Sequence, residues 1–217
     1  MLVRDYMTRH PVMVEPETSI VEAQGIMAEA KIRHLPVVEE GKRLVGLVTR
    51  ERMRIPPTEL ASLNVWEITR FLSTMTIKDV MAKRDEVITI GPDTPLEQAA
   101  RIMVENKVGS LPVLEEGVVV GIITDTDMMA HLTEMMATRI SGVRVTIRMP
   151  NVRGELAKMV GALGEQGWGI VACGGVPAPK QPDLWEAVVK IRNAPKEDVV
   201  AVLSRVEGQE IVDVRET

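Results

Sequence analysis

The order of apolar and polar positions repeats itself across the first two thirds of the chain. Pro16-Glu17-Thr18-Ser19-Ile20 opens a stretch ending in His34-Leu35-Pro36-Val37-Val38-Glu39-Glu40-Gly41. Pro92-Asp93-Thr94-Pro95-Leu96 opens another, ending in Ser110-Leu111-Pro112-Val113-Leu114-Glu115-Glu116-Gly117. The offset is 76 residues, from Pro16 to Pro92, and drops by one at Gly46 and Gly121. Two copies at so long a period predict a paired module, not a solenoid. In each copy a short apolar strand (residues 12–14 and 87–90) precedes a helix. That helix carries Ile20, Ala23, Met27 and Ala30, or Leu96, Ala99 and Met103, on one face. In the second copy Thr94 is expected as N-cap, Pro95 as the first helical residue and Glu97 as the capping-box partner. Two apolar strands joined by a Glu-Glu-Gly turn follow, then Gly-apolar-apolar-Thr and a further helix. The pattern is β-α-β-β-α, twice. Between the copies Ile55-Pro56-Pro57 breaks the chain, and Leu60, Leu63, Trp66 and Leu72 predict a connecting helix over 58–73.

From Val143 the pattern changes. Residues 144–149 alternate as a half-buried strand, and Asn151-Val152-Arg153-Gly154-Glu155-Leu156 opens a helix with Leu156, Met159, Val160 and Leu163 on one face. A second strand begins in Gly167-Trp168-Gly169-Ile170-Val171, residues 177–183 read as a turn or exposed loop, and 184–192 form a third strand. Val199, Val202, Leu203 and Val206 mark another helix, and 210–215 a last strand. The order β-α-β-β-α-β predicts a ferredoxin-like sandwich. The fold class is therefore α+β, or mixed α/β. The expected boundaries are 1–57 for the first repeat, 58–75 for a linker helix, 76–138 for the second repeat and 139–217 for the C-terminal domain.

Composition narrows what such a chain does. Of 217 residues 45% are hydrophobic but only 2% aromatic, so the core is built from aliphatic side chains and methionine. The net charge of −5 argues against a nucleic-acid partner, since phosphate backbones are met by a basic excess. The sandwich also lacks the aromatic platform of an RNA-recognition domain: its third strand reads Leu-Trp-Glu-Ala-Val-Val-Lys-Ile-Arg. The longest apolar run, near 118–123, is far short of a membrane span, and residues 1–6 do not resemble a signal peptide, so a cytoplasmic protein is expected. The one cysteine, Cys173, has no intrachain partner, and His10, His34 and His131 show no metal-ligand spacing. No phosphate loop is present. No catalytic residue, metal or catalytic cofactor is expected.

The chemistry concentrates at Gly121-Ile122-Ile123-Thr124-Asp125-Thr126-Asp127. Thr124-x-x-Asp127 alone reads as a capping box before an apolar helix. A carboxylate in a helix's first turn also accepts hydrogen bonds from a cis-diol, and the helix N-terminus favours an anion nearby. Together with Leu35-Pro36-Val37-Val38 and Leu111-Pro112-Val113-Leu114, this motif resembles the CBS domain over about residues 3–133. That family forms tandem pairs with a cleft for adenosine compounds. The resemblance implies that Thr124, Asp125, Thr126 and Asp127 hold the ribose, with Ile122 beside them. It further implies that Ile32 flanks adenine, that Arg33 and His34 meet phosphates, and that Val12 touches the base. The first copy departs from the motif, since Gly46-Leu47-Val48-Thr49-Arg50-Glu51-Arg52 has Arg52 in the place of the ribose acceptor and arginine cannot accept. One competent and one degenerate site are expected.

The segment Thr58-Glu59-Leu60-Ala61-Ser62-Leu63-Asn64-Val65-Trp66-Glu67-Ile68 and the C-terminal domain together resemble the AcuB group of acetoin-utilisation proteins. The turn Asn151-x-x-Gly154-x-Leu156 resembles the ACT domain, which implies contact with an amino-acid ligand or a neighbouring subunit. Asn151 is expected to cap the following helix and Gly154 to admit another backbone. The expected function is a non-catalytic regulatory sensor. AMP, ADP or ATP binds between the repeats, and the signal passes through a homodimer or the ACT-like domain to a partner enzyme, with a role in acetoin utilisation. The alternative is an interaction scaffold with an empty cleft, whose ACT-like domain binds an amino acid or a partner protein.

Overall fold

In chain order the first elements are α1 (Val3–Tyr6), β1 (Thr8–Arg9), α2 (Ile20–Glu29), β2 (His34–Glu39), β3 (Arg43–Thr49), α3 (Ile77–Val80), β4 (Ala82–Lys83), α4 (Leu96–Asn106), β5 (Ser110–Glu115), β6 (Val118–Thr124) and α5 (Asp125–Met135). They are followed by β7 (Val143–Pro150), α6 (Glu155–Gly164), β8 (Gly169–Ala178), β9 (Gln181–Arg192), α7 (Lys196–Leu203) and β10 (Glu210–Glu216). This computed structural model describes residues 1–54, 66 and 74–217. The connecting helix expected over 58–73 lies outside the described residues, apart from Trp66. The chain divides into two units, Met1–Met128 and Met129–Thr217, with the boundary inside α5. Among the described residues no helix is long and apolar enough to cross a membrane.

The repeat in sequence is a repeat in space. Hairpin β2–β3 runs from His34↔Thr49 to Glu39↔Arg43 and slips register between Val37 and Val38. Hairpin β5–β6 runs from Ser110↔Thr124 to Glu115↔Val118 and slips between Val113 and Leu114. Identical bulges at matching positions give both hairpins the same local twist. The expected strands at 12–14 and 87–90 shrink to single parallel bridges, Val14↔Val37 and Ile90↔Val113. The chain there is extended, but each segment meets a neighbouring strand at one residue only.

The segments that lead into each repeat belong to the other one. Val3 of α1 is fully buried with Leu96, Ala99, Leu111 and Ile123 of the second repeat. Ile77 of α3 is fully buried with Ile20, Ala23, Met27 and Leu35 of the first. The short strands follow suit, β1 on β6 and β4 on β3. At Gly46, opposite Lys83, an added Cβ would lie 2.6 Å from the Ala82 carbonyl oxygen, so β4 can reach β3 only over a glycine. This exchange explains a departure from the sequence reading. Thr94 does not cap α4. The helix starts at Leu96 with Pro95 as N-cap, because the Leu96 N–H donates to the Met1 carbonyl and the Thr94 carbonyl accepts from the Val3 N–H.

In the second unit the antiparallel sheet order is β10-β7-β9-β8, the arrangement of a ferredoxin-like βαββαβ sandwich. Val145, Ile147, Met159, Leu163, Ala187, Val189, Ile191 and Val199 form its core, none more than 1% exposed. The loop expected at 177–183 is shorter than the prolines suggested. β8 continues to Ala178 and β9 starts at Gln181, leaving a tight turn with Lys180 at φ +63°. Pro177 is tolerated there because β8 is an edge strand of this sheet.

Candidate functional site

β6 delivers Thr124 to the start of α5, and a reciprocal cap follows. The Thr124 N–H and hydroxyl donate to Asp127 Oδ2 at 2.8 and 2.7 Å, and the Asp127 N–H donates to Thr124 Oγ1 at 3.3 Å. Asp127 Oδ1 makes no hydrogen bond among the described residues. The cap therefore fixes the carboxylate with one oxygen turned to other use. The Asp125 N–H donates to the Gly109 carbonyl at 3.0 Å, which ties the helix start to the strand before it.

The facing wall comes from the first repeat. α2 is capped by Ser19, whose hydroxyl accepts from the Glu22 N–H, and ends at Ala30. Lys31 then takes a left-handed conformation (φ +55°), and the Ile32 N–H closes the helix end on the Met27 carbonyl. This reversal aims Ile32, Arg33 and His34 at a cleft of about 290 Å³. Its walls also include Thr8, Pro11, Val12, Ile122, Thr124, Thr126 and Asp127. Thus Val12, Ile32, Arg33, His34, Ile122, Thr124, Thr126 and Asp127 border one cavity within the first unit. Asp125 is not on its wall; it pairs with Arg33, Nη2 to Oδ1 at 3.0 Å. Val12 is 44% exposed, not the core residue that its apolar character alone suggests.

Sequence reasoning missed Thr8, His10, Pro11 and Lys31, which line the same cleft. The first three arrive because the leader segment crosses to β6, a tertiary event without a local signature. Lys31 adjoins a residue that the motif did single out. Burial, seconded by the charge of Arg33, pushes the His34 pKa below the ordinary histidine value, while Asp125 and Glu51 pull the other way.

The equivalent position in the first repeat is built differently. The Arg52 N–H donates to Thr49 Oγ1 at 3.3 Å, which preserves half of the cap, and the guanidinium lies 3.8 Å from Glu86. No acceptor stands where Asp127 stands in the second copy.

In the C-terminal unit Asn151 does not cap α6. Its side-chain amide donates to the Pro182 carbonyl at 3.2 Å and its N–H to the Asp183 carbonyl at 2.8 Å, so it is committed to the β8–β9 hairpin. The N-cap is Gly154 at φ +94°, with nothing within 4 Å of an added Cβ. The positive φ by itself requires a glycine at this turn. Leu156 is 44% exposed on the following helix. Glu155 is buried beneath it, its carboxylate bonded to Lys158 and Gln209, and these bonds hold its pKa below the usual carboxylate range. Cys173 is exposed on β8, and partial desolvation pushes its thiol pKa up, the opposite of an activated nucleophile. Among the described residues no three His, Cys, Asp or Glu side chains cluster as metal ligands do.

Comparison with known proteins agrees with this architecture. The chain is 32% identical over 135 residues to an inosine-5'-monophosphate dehydrogenase of Korarchaeum cryptofilum, covering 62% of this chain and 25% of that enzyme. It is 31% identical over 130 residues to an L-aspartate semialdehyde sulfurtransferase of Methanocaldococcus jannaschii, covering 58% and 22%. The chain thus spans about a quarter of the length of these two relatives. Among solved structures it resembles a protein assigned to acetoin utilization (AcuB) from Vibrio cholerae, with TM-score 0.53 and 29% identity over 64% of this chain and 95% of that one. It also resembles the CBS domain pair of protein MJ0100 in complex with 5'-methylthioadenosine and S-adenosyl-L-methionine, with TM-score 0.50 and 29% identity over 61% and 95%. The CBS domain itself matches residues 3–54 and 77–134, the two halves that interleave around the cleft, and the chain belongs to the CBS-domain family as a tandem pair.

Proposed function

We propose that this chain is a non-catalytic regulatory sensor that binds an adenosine-containing ligand, of the AMP, ADP or ATP class or a related adenosine, in the cleft between its repeats. The observation that carries the reading is a pairing of opposites in one cavity. A capped carboxylate with a spare oxygen, Asp127, comes from one repeat, and Arg33, His34 and an apolar rim come from the other. Asp127 Oδ1 suits a ribose hydroxyl, while Ile32, Val12 and Ile122 offer apolar surface for a base. The CBS pair of MJ0100, which holds two adenosine compounds, supports the same ligand class. Binding joins residues of both repeats, so it biases their packing wherever two arrangements differ in affinity. In this reading the CBS pair extends to about residue 138, and residues 139–217 act as an ACT-like unit. Signalling passes through a homodimer or this unit to a partner enzyme in the cytoplasm, and the likeness to the Vibrio cholerae structure favours acetoin utilisation as the setting.

Calorimetry against AMP, ADP, ATP, S-adenosylmethionine and an amino-acid panel tests the reading. Wild-type protein should take up one adenosine ligand per chain. Asp127→Ala should weaken binding roughly ten- to a hundred-fold, the scale of hydrogen bonds to a charged acceptor. Heat with amino acids alone would transfer the function to the C-terminal unit and leave the cleft as scaffold.

A further inference from the structure

Building on the reading of the cleft as an adenosine site, we infer that Asp125 makes it select an adenosine whose 5′ substituent is uncharged or cationic over one carrying a polyphosphate. In that reading the ribose lies at Asp127 and the 5′ end at Arg33 and His34, as the family resemblance implies, and Lys31 adjoins them on the cleft wall. Arg33 is already engaged there. Its Nη2 lies 3.0 Å from Asp125 Oδ1, an oxygen that also accepts from the Thr126 hydroxyl at 3.2 Å. The backbone bond from the Asp125 N–H to Gly109 fixes where this carboxylate stands. A methyl group at Gly109 would sit 3.4 Å from Asp125 Oδ2 and 3.5 Å from His34 Nε2, so carboxylate and imidazole border the same point.

The positive charge offered to the 5′ end is therefore reduced, because Asp125, just behind the wall, offsets Arg33. Burial and Arg33 together lower the His34 pKa, against the pull of Asp125 and Glu51, so the imidazole offers less positive charge than an ordinary histidine. A polyphosphate brings several negative charges into this setting. The guanidinium keeps other N–H groups for it, but a phosphate that binds them is brought close to the Asp125 carboxylate on Nη2. A thioether meets no such repulsion, and a sulfonium is attracted to Asp125. Arg33 and Asp125 are both about half exposed (55% and 52%), so their pair adds little to folding. Its consequence is the charge that an incoming ligand meets.

The test is calorimetry on the full chain at low ionic strength, without divalent cations, using methylthioadenosine, AMP and ATP. Wild-type protein should bind methylthioadenosine about tenfold or more tightly than ATP, with AMP between them. Asp125→Asn, which keeps the shape and removes the charge, should raise the ratio of ATP to methylthioadenosine affinity about tenfold. Arg33→Gln, which leaves Asp125 unopposed, should lower that ratio. If wild-type protein prefers ATP, or if folded Asp125→Asn leaves the ratio unchanged, the inference is overturned while the adenosine reading stands. Should Asp125→Asn fail to fold, the wild-type order and the Arg33→Gln ratio decide in the same way. Absence of binding by all three compounds overturns the inference together with the reading of the cleft.

Discussion

Asp127 carries two roles that its spacing from Thr124 cannot separate. One oxygen caps α5 through bonds of 2.7 and 2.8 Å, and the other points away from the cap. The sequence made the capping box legible, because a cap is local. That the carboxylate shares a cavity with Arg33, 94 positions earlier in the chain, was implied by the family resemblance and by no local pattern. His34 illustrates the same limit. Its place before Leu35-Pro36 was readable, but its protonation depends on burial and on Arg33, neither of which is written nearby. The consequence for stability has a definite sign. The folded pKa lies below the unfolded value of about 6.5, so the folded state binds fewer protons. The contribution is complete above that unfolded value and is lost as pH falls through the folded one. The melting temperature of the ligand-free protein, followed from pH 8 to 5, should drop on the acid side, and His34→Gln should flatten the drop. A slope unchanged by the substitution would assign it to other groups.

At the scale of elements, helices and hairpins were legible wherever their cause was periodicity. The Glu-Glu-Gly turns, the apolar faces of α2 and α4, and the βαββαβ order all follow from side-chain alternation. The ends of elements were less legible. α4 lost its expected cap to the carbonyl of Met1, and the proline-rich 177–183 segment proved mostly strand, because partners distant in sequence satisfy those backbone groups. Gly154 has a conformational role that its motif did not signal. It starts α6 at φ +94° in open space, so a side chain there would strain the backbone without meeting a neighbour. Gly154→Ala should destabilise the C-terminal unit by about 1–2 kcal/mol. Hydrogen exchange across Glu155–Gly164 should report it as lost protection. Wild-type protection in the variant would mean that the turn relaxes into an ordinary conformation at no cost.

At the scale of the whole molecule, the first unit is two repeats that complete each other. Ile77 precedes the second repeat in sequence yet sits, fully buried, among Ile20, Met27 and Leu35 of the first. Its truncation should therefore act at a distance along the chain. Ile77→Ala should cost about 2–5 kcal/mol, the range for deleting a buried aliphatic side chain. The loss should appear as faster hydrogen exchange in α2 and β2, not in α3 alone; exchange confined to residues 76–81 would show that the leader is merely docked. By itself the sequence determined the duplicated β-α-β-β-α pattern, the sandwich that follows it and the asymmetry between Asp127 and Arg52, because periodicity and residue type are properties of neighbouring positions. Only the tertiary structure decided that each leader crosses to the opposite repeat, which residues beyond the motif reach the cleft, and that Arg33 is held by Asp125. Those outcomes depend on which distant surfaces bury the most apolar area and satisfy each other's backbone groups, and no local pattern of residues encodes that choice.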